Sequence, residues 1–139
     1  MILVDTGPLV AAALSEDADH HRCVELLTGL HLAGRRILVP GTVVAEVGYL
    51  LAREAGPQTE AGFLGSLADG DFVATNLTTE DFRRMADLVK QYADLPLGTT
   101  DASIIALAER LGVTEIATLD RRHFTVVRPS HVEAFELVP

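Results

Sequence analysis

The sequence has one cysteine, Cys23, no tryptophan and one lysine, Lys90, in 139 residues. A single cysteine cannot close an internal disulfide or build a cysteine-rich zinc site, so the expected setting is a reducing cytoplasm. Long apolar runs are also missing. The longest, Leu9 to Leu14, falls far short of the ~20 residues of a membrane span, and no membrane association is expected. Met1-Ile2-Leu3-Val4 is apolar, but no basic segment precedes it and Asp5 ends it, so it does not read as a secretory signal. Positive charge is scarce: eleven Lys plus Arg stand against twenty Asp plus Glu, a formal net charge of −9. That balance argues against general nucleic-acid binding by counter-ion release. A polyanionic substrate would have to be held locally, by arginines close to bound metal.

Several motifs are absent too. No Gly-x-Gly-x-x-Gly follows a strand-like run and no Gly-Lys-Ser/Thr loop occurs, which disfavours dinucleotide and P-loop nucleotide binding. His20, His21, His31, His123 and His131 lack the His-Glu-x-x-His spacing of a zinc hydrolase. Adjacent residues on a helix diverge by about 100°, so His20-His21 makes a poor metal clip. Ser15, Ser66, Ser103 and Ser130 sit in no nucleophile-elbow pattern.

What is present suffices for one core. Nearly half the chain, 48%, is apolar, and a single unit over residues 1–139 is expected. Short apolar runs at 2–5, 37–39, 72–74, 116–119 and 125–127 read as strands. They are apolar throughout rather than alternating, as in parallel strands covered on both faces. Helical patterns at 8–14, 18–33, 42–55, 59–68, 79–92 and 100–111 lie between them. The predicted fold is α/β, a three-layer α/β/α sandwich with a short central parallel sheet. Functional groups in such folds gather at the carboxyl ends of the strands, near a reversal in strand order.

Four acids fall at suggestive places. Asp5 follows the first strand, where it could serve a site or cap the helix containing Pro8. Glu46 lies about 100° from the centre of the stripe formed by Val43, Val44, Val47, Leu50 and Leu51, which is also where a solvated flank residue sits. Asp101 projects within the apolar face of Ile104, Ile105, Ala108 and Leu111, with Ser103 and Arg110 opposite, and a lone carboxylate there would tend to stay protonated. Thr99 and Thr100 could cap that helix instead of it. Asp120 ends the run Ile116-Ala117-Thr118-Leu119 and opens a turn. Clustered carboxylates repel one another unless a cation joins them. Hard oxygen ligands suit Mg²⁺ or Mn²⁺, which can activate water and stabilise a leaving oxygen in phosphodiester hydrolysis.

Four segments together resemble the PIN-domain nucleases, with the VapC-type toxins of prokaryotic toxin–antitoxin pairs the nearest likeness. They are Ile2-Leu3-Val4-Asp5-Thr6-Gly7-Pro8-Leu9, Val43-Val44-Ala45-Glu46-Val47, Asp94-Leu95-Pro96-Leu97-Gly98-Thr99-Thr100-Asp101-Ala102-Ser103-Ile104 and Ala117-Thr118-Leu119-Asp120-Arg121-Arg122-His123-Phe124. The resemblance implies a Mg²⁺- or Mn²⁺-dependent endoribonuclease, homodimeric, acting on RNA and held inactive by a cognate antitoxin. By motif position Asp5, Glu46 and Asp101 are the core acids and Asp120 the more variable fourth. Asp5 and Asp101 would ligate the principal metal, Glu46 would ligate it or orient the attacking water, and Asp120 would complete a weaker second position. Thr6 and Thr118 match hydroxyls near the metal-bound waters, and Asp94 stays outside the ligand set. Arg121, Arg122 and His123 are candidates to grip the RNA backbone.

Two other readings share these acids. A signalling receiver domain would need a lysine near the site, and Lys90 lies among Leu88, Val89 and Tyr92 in a helical pattern. A DNA-directed nuclease of the same chemistry would need gripping elements for which a chain this short has little room. A non-catalytic interaction module is the third alternative, its apolar helices serving a partner.

Overall fold

Strands and helices alternate, as the spacing of apolar runs predicts. A computed structural model describes residues 1–139. The order is β1 (Ile2–Val4), α1 (Thr6–Ala13), α2 (His20–Leu32), β2 (Ile37–Pro40), α3 (Gly41–Ala55), α4 (Pro57–Ala68), β3 (Val73–Thr75), α5 (Thr79–Gln91), α6 (Thr99–Leu111), β4 (Glu115–Ala117), α7 (Arg121–Val126) and β5 (Glu136–Val138). The strands form one sheet in the order β3-β2-β1-β4-β5, every pair parallel. Leu3 aligns with Leu38 on one side and with Ile116 on the other.

The chain steps outward from β1 through β2 to β3, then returns across the sheet to β4. Right-handed crossovers in opposite directions put helices on both faces, which yields the α/β/α sandwich. The reversal falls between β1 and β4, and it opens a crevice at their carboxyl ends. β1 and β2 are fully buried and β4 is buried except at Glu115, whereas β3 and β5 are partly exposed edges. All the buried apolar side chains except Ala11 and Cys23 form one contiguous cluster.

Three local features hold α5 and α6, the second of which borders the crevice. A capping box starts α5: Thr78 Oγ1 accepts from Asp81 N, and Asp81 Oδ2 accepts from Thr78 N. Asp81 is almost fully buried and also takes the Arg110 Nε–H at 2.9 Å, tying α5 to α6. Gly112 ends α6 at φ 69°, a left-handed position that a side chain would strain.

Two sequence expectations need correction. Residues 125–127 are not a strand: Thr125 and Val126 finish α7, where Thr125 Oγ1 donates to Arg121 O one turn back. The fifth strand is Glu136–Val138, whose short mixed run carries little strand signal of its own. Ser103 does not point to solvent either. It is fully buried, donating to Thr100 O and sharing a hydrogen bond with Thr42 Oγ1. The cause is that α6 is enclosed on several sides, so every residue from Ala102 to Ala108 is buried and no polar face exists there.

Candidate active site

The first strand delivers Asp5 to the crevice. Its Oδ1 accepts from Thr6 N at 2.8 Å and its Oδ2 from Thr118 Oγ1 at 2.9 Å. Asp5 therefore does both things expected of it: it stands at the start of α1 and it faces the site. The fourth strand delivers the other side. Thr118 and Leu119 leave the sheet after Ala117, and Thr118 Oγ1 accepts from Asp120 N at 3.1 Å, which fixes the turn carrying Asp120. Gly7 lets this turn approach α1, since a Cβ on it would lie 3.3 Å from Leu119 Cβ.

Two helices bring the remaining acids. Glu46 lies midway along α3, exposed, with Oε2 accepting from Thr100 Oγ1 at 2.7 Å. Asp101 lies in the first turn of α6 but caps nothing; Gly98 occupies the N-cap, and Asp101 Oδ2 instead meets His123 Nδ1 from α7. Asp5, Glu46, Asp101 and Asp120, distant in sequence, thus line a single cavity of about 640 Å³. Thr6, Gly7, Thr100 and His123 line it with them, and only one of its twelve lining residues is hydrophobic. Asp94 is exposed in the turn before α6 and does not reach the cavity.

The electrostatics follow from this crowding. Burial pushes the Asp5 carboxyl up to about 6; the charges of Asp101 and Glu46 add to the rise, while the Thr6 amide and the Thr118 hydroxyl oppose it. Burial also raises Asp101, opposed by His123 and reinforced by the charges of Asp120 and Glu46. Repulsion of this kind ties the four acids into one electrostatic unit.

A hard divalent cation fits this donor set. The carboxylates are oxygen donors with no cysteine among them, and their mutual repulsion is what a cation relieves. A second sign is Thr6 Oγ1, which is buried at the cavity without a hydrogen-bond partner. As the side chains stand, no three acidic or histidine groups are close enough to share one ion. Mg²⁺ keeps several of its waters and needs only one or two direct carboxylates, so a looser arrangement suffices.

A family model described as the PIN domain matches residues 2–128. The chain belongs to the PIN-domain family. It is 32% identical over 138 residues to ribonuclease VapC26 of Mycobacterium tuberculosis, covering 99% of this chain and 100% of that protein. Among solved structures it resembles Mycobacterium tuberculosis VapC20, described as a sarcin–ricin loop cleaving toxin, with a TM-score of 0.77 and 17% identity over 87% of this chain and 91% of that one. It also resembles VapBC2 from Rickettsia felis bound to a promoter DNA fragment, with a TM-score of 0.68 and 16% identity over 99% and 97% of the two chains. At those identities the structural likenesses establish the PIN fold alone.

Sequence reasoning missed two features of this PIN domain. His123, a candidate for the RNA backbone, also touches Asp101, a contact its position alone does not announce. Thr100, which the sequence offers with Thr99 as a possible cap, holds Glu46 instead, since Gly98 is the N-cap. The only available signal was position, since His123 follows Asp120 by three residues and Thr100 precedes Asp101. Of the arginines beside Asp120, Arg121 is already engaged with the Pro139 carbonyl at 3.0 Å. Arg122 is exposed.

Proposed function

We propose that this PIN domain is a Mg²⁺- or Mn²⁺-dependent endoribonuclease that acts as the toxin of a toxin–antitoxin pair. The observation that carries the reading is the convergence of Asp5, Glu46, Asp101 and Asp120 on one cavity at the reversal point of the sheet. The relationship to a ribonuclease of the VapC type over the full chain supports RNA as the substrate.

Asp5 and Asp101 would hold the cation, Glu46 would ligate it or orient the attacking water, and Asp120 would complete a weaker second position. Bound there, the ion supplies an acidified water and counter-charge for the leaving oxygen. The chain's own residues prepare the rest. Thr118 and the Thr6 amide fix the Asp5 carboxylate, and Thr100 fixes one Glu46 oxygen, leaving the other to orient water. The unpartnered Thr6 hydroxyl is a further water contact. Arg122 is the basic residue left to meet the RNA backbone as a charge-assisted donor.

The partners are assigned to apolar surfaces. An antitoxin segment would lie in the groove of Leu9, Ala12, Ala13, Leu27, Phe63 and Phe72, between α1, α2 and α4, as an amphipathic helix does in a hydrophobic groove. A second copy of the chain would cover the exposed α5 stripe of Phe82, Ala86 and Val89, which reaches the cavity edge at Thr99.

The test is cleavage of total RNA with Mn²⁺ and with excess EDTA, by the wild type and by Asp101→Asn. Cleavage that needs Mn²⁺ and the Asp101 carboxylate is expected. Undiminished cleavage by the variant would remove Asp101 from the mechanism, and preferential cutting of single-stranded DNA would change the substrate class.

A further inference from the structure

Three of the four cavity acids share a pattern of support. Asp5, at the end of β1, accepts from Thr118 beyond β4. Glu46 on α3 accepts from Thr100 on α6. Asp101 on α6 is met by His123 on α7. Each carboxylate is therefore held through one oxygen by a side chain from a different part of the chain, and its orientation is set before any ligand arrives. The Asp120 carboxylate has no such contact; only its backbone is held, through Thr118.

The His123–Asp101 contact is a built feature rather than a surface encounter. Both side chains are 18% exposed. Phe124, the next residue, is buried in the core, which fixes α7 against the body of the domain. The contact uses Nδ1, the ring nitrogen nearer the backbone and hence the one whose position α7 controls most tightly.

We propose that His123 is a positioning residue that orients Asp101 for the divalent cation, by occupying Oδ2 and leaving Oδ1 to face the cavity. This inference rests on the metal-dependent reading above and adds a residue to it. A group that orients a ligand governs metal affinity, and its loss costs about 10–100-fold. It also follows that α7, although short, is part of the site: it carries the last acid at its start and the support for another acid one turn on.

The experiment is Mn²⁺ titration of the full chain followed by the electron paramagnetic resonance signal of free Mn²⁺, with RNA kinetics in parallel. Four proteins are compared: wild type, His123→Leu, His123→Asn and His123→Gln. An asparagine amide nitrogen falls close to the place of Nδ1, whereas a glutamine amide reaches the place of Nε2. The expected result is Mn²⁺ affinity about 10–100-fold weaker in His123→Leu and His123→Gln, restored to within a few-fold by His123→Asn. KM for RNA at saturating Mn²⁺ should stay constant across the series. Wild-type affinity in His123→Leu and His123→Gln would overturn the proposal while leaving the metal site standing. A raised KM with unchanged Mn²⁺ affinity would also overturn it and make His123 a substrate contact. Failure of the wild type to bind Mn²⁺ would overturn both this proposal and the reading beneath it.

Discussion

Asp5 concentrates the physics of the site at the scale of one side chain. Burial lifts its folded carboxyl from 3.8 to about 6, so the proton is bound more tightly in the folded than in the unfolded chain. The stabilisation linked to that proton is complete below about pH 3.8 and is lost as pH rises through about 6. Above that range an ionised, buried Asp5 works against the fold. Asp5→Asn is therefore expected to raise the unfolding free energy at pH 8 in EDTA, by up to about 3 kcal/mol, and to change it little at pH 4. Urea unfolding of both proteins at the two pH values measures this directly. The same linkage predicts that Mn²⁺ stabilises the wild type more at pH 8 than at pH 5, because the cation competes with the proton for the carboxylate. Thermal midpoints at both pH values check it; an equal or absent shift would contradict a site built on Asp5. Asp101→Asn should leave the melting transition cooperative and reduce cleavage by more than the roughly 10–100-fold expected for a supporting residue.

At the scale of elements, the site depends on how α5 holds α6, since α6 carries both Thr100 and Asp101. The clasp is Asp81 with Arg110 and Thr78. Burial pushes the Asp81 carboxyl up, but the hydrogen bond and charge of Arg110, with the Thr78 amide, hold it below its ordinary value. A depressed carboxyl contributes stability that is present above its unfolded value of 3.8 and disappears as pH falls through the folded one. Arg110→Leu leaves the nearly buried Asp81 with only its Thr78 contacts. We expect a loss of roughly 1–3 kcal/mol at pH 7, smaller at pH 3, with kcat reduced because α6 shifts. Arg84 and Glu109 make a second cross-link between the same helices at 2.7 Å, with Glu109 Oε2 also accepting from Ser130 N. Arg110→Leu should therefore loosen the pair rather than separate it.

For the molecule as a whole, the surplus of acids limits how RNA can be held. A chain at −9 gains little from general counter-ion release; with the exposed Arg122, two residues beyond Asp120, as the proposed RNA contact, the salt dependence of KM should be shallow. Arg122→Ala is expected to raise KM with little change in kcat, measured on one RNA at two salt concentrations. The groove proposed for the antitoxin lies between α1, α2 and α4. Ala13 is exposed at its rim and lies outside the catalytic cavity. Ala13→Trp should fill the groove and leave cleavage intact while abolishing neutralisation, read as growth arrest that the co-expressed antitoxin no longer relieves.

Much of this was legible along the chain. The alternation of apolar runs and helical patterns gave the α/β/α class, because local periodicity decides which segments are strands and which are helices. The four acids were visible as residues following strands or interrupting apolar stripes. Residues 125–127 misled because β-branched side chains favour a strand only until tertiary contacts outweigh that weak preference; buried Phe124 and Val127 drew the segment into a turn of helix. Ser103 misled because a helix enclosed on several sides has no solvent face for periodicity to reveal. The sequence by itself determined the elements and the chemical character of the acids. Only the tertiary structure decided that Asp5, Glu46, Asp101 and Asp120 share a cavity, and which neighbour steadies each carboxylate. Those relations join residues up to 113 positions apart, and such distances close only when the sheet order and its reversal have brought the strand ends together.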